Sequence, residues 1–310
     1  MSDGNSGRAR VGRLDTAETA VVRSNRAQPV QPDGAVEGYR AGRTLPVRVE
    51  LARQLRRRRT RLALGFLVVL PLLLLLAFEV GDDGSRGGRT LADIATASGL
   101  NFAVFTLFAA TNFLLVVVVA LFFGDTVASE ASWSSLKYLL AAPVPRVRLL
   151  RQKAVVSALL SGSGLVLLSA VSVAVGVLWY GTGDLVSTTG EAVPFPAGLV
   201  SIAVGTLYLA VHLTWIAGLA LWLSVSTDAP LGAVGGAVLV SILSEILDQI
   251  SALGDLRTYL PTHYSTAYAD LLSEDVDWSG MAYGAFSGLA YATVFVVLAV
   301  WRFRRKDITS

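Results

Sequence analysis

The 310-residue chain is 53% hydrophobic and only 16% charged, with a formal net charge of +3 and a mean hydropathy of +0.58. That is too apolar for an ordinary soluble domain, and it reads as an integral membrane protein. The absence of cysteine excludes disulfides, thiolate chemistry and cysteine-bound metals, and leaves the redox compartment open.

Residues 1–44 are rich in Gly, Ser, Arg, Pro, Asp and Gln with little apolar periodicity. Such a segment buries too little surface to offset the entropy of ordering, so a disordered basic cytoplasmic tail is expected. From Pro46 the pattern changes. In "LPVRVELARQLRRRRTR", Val47, Leu51 and Leu55 recur at helical spacing among arginines, which predicts an amphipathic helix over 45–61 lying along the inner membrane surface. A plain positive-inside stop signal accounts for the arginines but not for the apolar spacing. No cleavable signal peptide is expected, because roughly sixty polar residues precede the first apolar run.

A hydrocarbon core of about 30 Å needs roughly 20 apolar helical residues. Six runs qualify within a transmembrane domain of 62–302: Leu62–Val80, Phe102–Phe123, about Ala154–Tyr180, about Ala197–Ser224, Leu231–Ile250 and about Gly280–Trp301. A basic tail, 303–310, follows. The fold class expected is therefore an all-α membrane protein of six transmembrane helices. The last loop, 251–280, groups apolar and aromatic residues around Pro261, which predicts short re-entrant helices on the outer side.

Basic loops resist translocation. Arginines precede the first span, Lys137, Arg146, Arg148, Arg151 and Lys153 lie between the second and third, and Arg302, Arg304, Arg305 and Lys306 follow the sixth. The alternate loops are acidic or near neutral. Both termini are accordingly expected in the cytoplasm, with Arg56, Arg57, Arg58, Arg59, Arg146, Arg148, Arg151 and Lys153 as inner-interface anchors. Three lysines against 23 arginines suggest a GC-rich bacterial genome, hence a multi-pass protein of the bacterial cytoplasmic membrane.

Catalytic signatures are sparse. The two histidines, His212 and His263, lie in different segments and form no H-E-x-x-H pattern, and no Gly-Lys dipeptide offers a P-loop. A non-catalytic chain without a metal or a catalytic residue is expected. His212 lies roughly 18 Å deep at helical rise, where an ionisable group faces a bundle interior or a pathway. Glu245 and Asp248, three apart near the outer end of the fifth span, share a helix face. They line an exit vestibule or simply reach the outer interface.

Between the second and third spans, Trp133, Leu136 and Leu140 form one apolar helical face with Lys137 turned away, Glu130 near the helix start, and Pro143 and Pro145 ending it, after which "RVRLLRQK" begins a new helix that runs into the third span. The stretch "GDTVASEASWSSLKYLLAAPVPRVRLLRQK" resembles the corresponding segment of ABC type-2 exporter permeases. Their pattern is an acid, Gly-Thr-Leu or similar, a Pro-(Val/Ile)-x-Arg step, and a Lys entering the next helix. Here the positions are Glu130, then Ser134, Ser135 and Leu136, then Pro143 to Arg146, then Lys153, with two serines where Gly-Thr is usual. "LPTHYSTAYADLL" and "WRFRRKDI" extend the resemblance over about Leu45 to Ile308.

The resemblance implies a permease subunit paired with a second permease subunit, as a homodimer or heterodimer, among membrane lipids and with no nucleic-acid partner. It implies an ABC ATP-binding subunit that carries the ATP and Mg, docked on a coupling helix at about 129–142. Glu130, Trp133, Leu136, Lys137 and Leu140 would lie at or beside that contact, and the helix before the first span would be the family's connecting helix. Two other readings stay open: an ion-coupled secondary transporter using His212, Glu245 and Asp248, and a non-transporting membrane scaffold. A carrier predicts inverted repeats and broken midplane helices, and neither is visible in the sequence.

Overall fold

Lipid offers backbone groups no hydrogen bonds, so a chain this apolar must satisfy them within helices. Among the described residues of the computed structural model, six helices are long and apolar enough to cross a membrane, and the chain is an all-α, multi-pass membrane protein. The structure describes residues 46–81, 91–132, 145–273 and 275–305. Helix α1 (Val47–Arg56) leads into α2 (Arg58–Val80), the first crossing helix. After the short α3 (Leu91–Ile94) come α4 (Gly99–Ser132) and α5 (Arg146–Tyr180). A ribbon of β1 (Leu185–Val186) antiparallel to β2 (Ala192–Val193) precedes α6 (Phe195–Ser226). Then α7 (Pro230–Asp248) is joined to α8 (Ser279–Arg304) through two 3-10 helices, Ser251–Tyr259 and Ala267–Leu272.

Each crossing helix overlaps one of the six apolar runs, but two are longer than hydropathy marks. Helix α4 continues past Phe123 to Ser132, and α5 starts at Arg146, eight residues before its apolar run and at the stretch "RVRLLRQK" expected to open the helix. Hydropathy registers only the lipid-bathed part, whereas α4, 34 residues long, extends about 51 Å at helical rise, well beyond the hydrocarbon. The extra turns hold Asp125 and Glu130, both buried.

The two ends of the bundle are held differently. At the arginine end, where α2 starts and α4 finishes, ion pairs join α1, α2, α4 and α5, and Arg146 Nη1 donates to the Arg304 carbonyl at 3.2 Å. At the opposite end the bonds are mostly neutral. Asn101 is bonded through both side-chain atoms to the Val186 backbone at 2.7 and 2.9 Å, and Trp179 Nε1 donates to Glu79 at 2.7 Å. The 251–272 segment folds back on the bundle there, burying Tyr268, Leu271 and Leu272.

Helices α4 and α6 form the centre, with 56% and 50% of their most apolar windows buried against 17% for α2 and 22% each for α7 and α8. Lipid tails are as apolar as leucine, so close packing rather than hydrophobic burial holds such helices together. Gly284, Gly288 and Ala292 make a small-residue stripe on α8 against α6. A Cβ on Gly284 would lie 2.1 Å from the Tyr208 hydroxyl, and one on Gly288 would lie 2.8 Å from the His212 carbonyl oxygen. This Gly-x-x-x-Gly spacing was present in the sequence as "YGAFSGLAYA".

Two crossing helices are irregular. In α4, Thr111–Leu115 is a π-turn, where the Thr111 hydroxyl donates to the Leu107 carbonyl at 2.7 Å and also meets the Tyr268 hydroxyl at 3.1 Å. A hydroxyl that bonds back to a ladder carbonyl bends a helix. Helix α6 is interrupted at Leu213, a discontinuity the sequence did not announce. Leu213 N–H still donates to the Leu209 carbonyl at 2.9 Å, so the interruption is a kink and not an unwound segment offering free carbonyls.

Gly288→Leu is expected to lower stability by about 1–3 kcal/mol through overpacking, read as earlier thermal unfolding in detergent. Gly65→Ala, with open space around its Cβ, should leave the transition unmoved or raised.

Candidate functional site

Helix α1 would run straight into α2 but for Arg57, whose extended backbone (φ −67°, ψ 136°) breaks the helix. The break turns α1 back over the ends of α4 and α5. Expected to meet lipid with its apolar stripe, α1 presents a polar edge to the protein: Gln54 is buried, Glu50 and Leu51 are half-buried, and Val47 and Leu55 are 36% and 41% exposed. The face is chosen by charge, because the carboxylates at the end of α4 need cations, which among the described residues come from α1, α2, α5 and the Arg57 hinge.

Glu130 is the centre. Its Oε1 accepts from Arg53 Nη2 at 2.8 Å and Lys153 Nζ at 3.2 Å, with Arg57 Nη2 at 3.7 Å. One turn earlier, Asp125 pairs with Arg59 at 2.5 Å and Arg57 at 3.3 Å. Glu50 grips Arg53 through two bonds of 2.8 and 2.9 Å, accepts from Gln54 at 3.1 Å, and lies 3.7 Å from Lys153. Burial pushes the Glu50 carboxyl up, but the Arg53 guanidinium with the Lys153 ammonium outweighs it and holds the group below the usual carboxylate range. Arg53 is raised in turn, chiefly by its bond to Glu50.

Two sequence expectations change here. Lys153, expected to anchor the inner interface, has a side chain only 4% exposed and lies inside the cluster. Glu130, expected at or beside a partner contact, points inward and is buried. Both follow from the cost of leaving a carboxylate unpaired near a membrane. Arg57 and Arg59 serve the same cluster, Arg56, Arg58 and Arg151 are exposed, Arg148 is half-buried, and Arg146 binds the end of α8. Trp133, Leu136, Lys137 and Leu140 lie outside the described residues, as does the 1–44 tail.

Sequence reasoning named neither Asp125 nor Glu50, and counted Arg53 only among the arginines that precede the first span. An acid such as Asp125, following directly on a long apolar run, was the available signal.

The candidate pathway residues fall into separate clusters. His212 is 1% exposed between α6 and α8, stacked on Tyr208 with ring centroids 5.6 Å apart, and its Nδ1 is 3.3 Å from the Gly284 carbonyl oxygen. Asp248, at the opposite end, pairs with His263 Nδ1 at 2.6 Å, and Arg257 donates to its carbonyl at 3.2 Å. Glu245 sits half-buried one turn before it. Between the irregular parts of α4 and α6 and the facing side of α5 lies a largely apolar cavity of about 120 Å³, lined among others by Leu115, Ser161, Leu213 and Thr214. No group of three or more His, Asp or Glu among the described residues is placed to hold a metal.

Fold and site together define a six-crossing membrane protein whose charged end is locked by buried ion pairs. A family model described as "Protein of unknown function (DUF2705)" matches residues 90–309, well over half the chain, and the protein belongs to that family. No curated protein matches it. Asp125, Glu130 and Lys153 lie within the matched residues, and their α1 and α2 partners precede them.

Glu130→Ala leaves the buried Lys153 with only the more distant Glu50 carboxylate, 3.7 Å away, and is expected to cost about 3–5 kcal/mol, measured by unfolding in detergent. Arg151→Ala should stay within about 0.5 kcal/mol. In a double-mutant cycle, Glu130→Gln with Lys153→Met should cost less than the sum of the two single changes. A second expectation concerns pH. Because the folded Glu50 carboxyl titrates below its ordinary value of 4.5, its contribution to docking α1 is complete above that value and is lost as the pH falls through the lowered one. Spin labels at Val49→Cys and Val155→Cys, clean in a cysteine-free chain, should report a lengthening distance on acidification.

Proposed function

We propose that this protein is the permease subunit of an ATP-driven ABC type-2 exporter in the bacterial cytoplasmic membrane, with both termini inside. It is non-catalytic. ATP and Mg belong to a separate ATP-binding subunit, and a second permease chain completes the membrane pathway.

One observation carries the reading beyond the motif order. The segment 133–144 is rooted in two helices whose bases are tied by the buried Glu130–Lys153 pair, and the same carboxylate holds α1 through Arg53. A push on that segment from a soluble partner reaches α4, α5 and α1 together, which is what a coupling element requires. Contact with the ATPase then falls to Trp133, Leu136, Lys137 and Leu140, while Glu130 acts through the helices it fixes. The ion-coupled carrier is supported less, because the α6 kink keeps its backbone bond and His212, Glu245 and Asp248 do not form one site. A scaffold remains the outcome if no ATPase associates.

The test is purification of the tagged chain from its native membrane in mild detergent, with mass spectrometry of what accompanies it and an ATPase assay. A stoichiometric ATP-binding subunit with vanadate-sensitive hydrolysis is expected, and Trp133→Ala should release it without lowering the unfolding temperature. A preparation with no ATPase in several detergents overturns the reading, as does a Trp133→Ala protein that retains both partner and activity.

A further inference from the structure

We propose that the pocket enclosed by α1, the start of α2 and the end of α4 is a binding site for a phosphate group, either free or on a lipid head group. It is an open cavity of about 690 Å³. Arg53, Arg57, Arg58 and Arg59 line it against only Asp125 and Glu130, and Glu130 is also compensated by Lys153. The wall therefore carries more positive than negative charge. Arg58 forms no ion pair with any described carboxylate, and guanidinium groups match phosphate oxygens in bidentate geometry.

Two further features point the same way. Helix α2, 23 residues long, begins at this wall with no side chain capping it, so first-turn N–H groups and the positive end of the helix dipole are left for an anion. Ser129, 6% exposed, also lines the pocket, and its hydroxyl has no hydrogen-bond partner among the described residues. A buried hydroxyl without a partner is costly, and a phosphate oxygen would satisfy it. Arginines that merely rest on head groups need neither a concave wall nor a buried hydroxyl. The site stands whether or not the chain associates with an ATPase.

The experiment uses the delipidated full chain in nonionic detergent at low salt. Calorimetric titration is run with inorganic phosphate, with dioctanoyl phosphatidic acid, and with dioctanoyl phosphatidylcholine as the zwitterionic control. Saturable binding of phosphatidic acid, at least about tenfold tighter than phosphatidylcholine, assigns the site to an acidic lipid head group. Saturable binding of inorganic phosphate that phosphatidic acid does not improve assigns it to a soluble phosphate. In either case Ser129→Ala should weaken binding about tenfold, the range for one hydrogen bond to a charged group, while leaving thermal stability unchanged or higher, since the hydroxyl bonds none of the described residues. Arg58→Gln should weaken it comparably. Absence of binding for both phosphate ligands overturns the proposal, and so does equal binding by wild type, Ser129→Ala and Arg58→Gln.

Discussion

The arrangement of the charged end depends on one requirement: Glu130, buried at the end of a membrane helix, must be compensated by cations in direct contact. Removing a partner from such a group is far costlier than the pair is favourable, so the geometry of everything nearby is constrained. Lys153 fixes the rotation of α5, Arg53 fixes which edge of α1 faces inward, and Arg57, shared between Glu130 and Asp125, sits where the chain turns from α1 into α2. Three carboxylates and four cations on four helices thus form one unit, and no helix in it can rotate without separating a pair.

The opposite end has a different character. There the bonds are between neutral amides, hydroxyls and aromatic rings, with the His263–Asp248 contact as an exception, and the chain between α7 and α8 lies on the bundle through Tyr208, Tyr268 and Tyr291. Between the ends, α6 and α8 approach at glycines so closely that a methyl group would not fit. Packed interfaces of this kind hold one arrangement or another and do not deform gradually. Movement at the charged end would therefore reach the far end by helices shifting as rods, with the π-turn of α4 and the kink of α6 as the places where bending is cheapest.

The crossing helices were legible because hydropathy over a 20-residue window reports directly on the solvent each segment meets. The end of α4 was not, since Gly124–Ser132 is helical through packing and ion pairing rather than through lipid, whereas the prolines before Arg146 and the basic turn after them marked the start of α5. The ion pairs themselves were out of reach: Arg53 and Glu130 are 77 positions apart, and no local periodicity couples them. The protein-facing edge of α1 was out of reach for a related reason. The stripe of Val47, Leu51 and Leu55 marks an amphipathic helix, but nothing local to it reports the two buried acids on α4 that draw in Glu50, Arg53 and Gln54. The α8 glycines were also missed, although their Gly-x-x-x-Gly spacing is a local signal.

The four consecutive arginines at the start of the first crossing helix show how charge rules and structure divide the work. For topology, Arg56, Arg57, Arg58 and Arg59 are equivalent, because the positive-inside rule counts charges near a helix end without asking where they point. In the folded protein they are not. Arg57 and Arg59 turn to Asp125, Arg58 faces the open pocket, and Arg56 is exposed without lining it. Substituting lysine throughout would preserve the count and the orientation in the membrane. It would lose the forked contacts that let Arg57 reach two carboxylates, because an ammonium is a point charge without a planar fork. The arginines therefore combine a topological signal, which tolerates exchange, with a structural role, which does not.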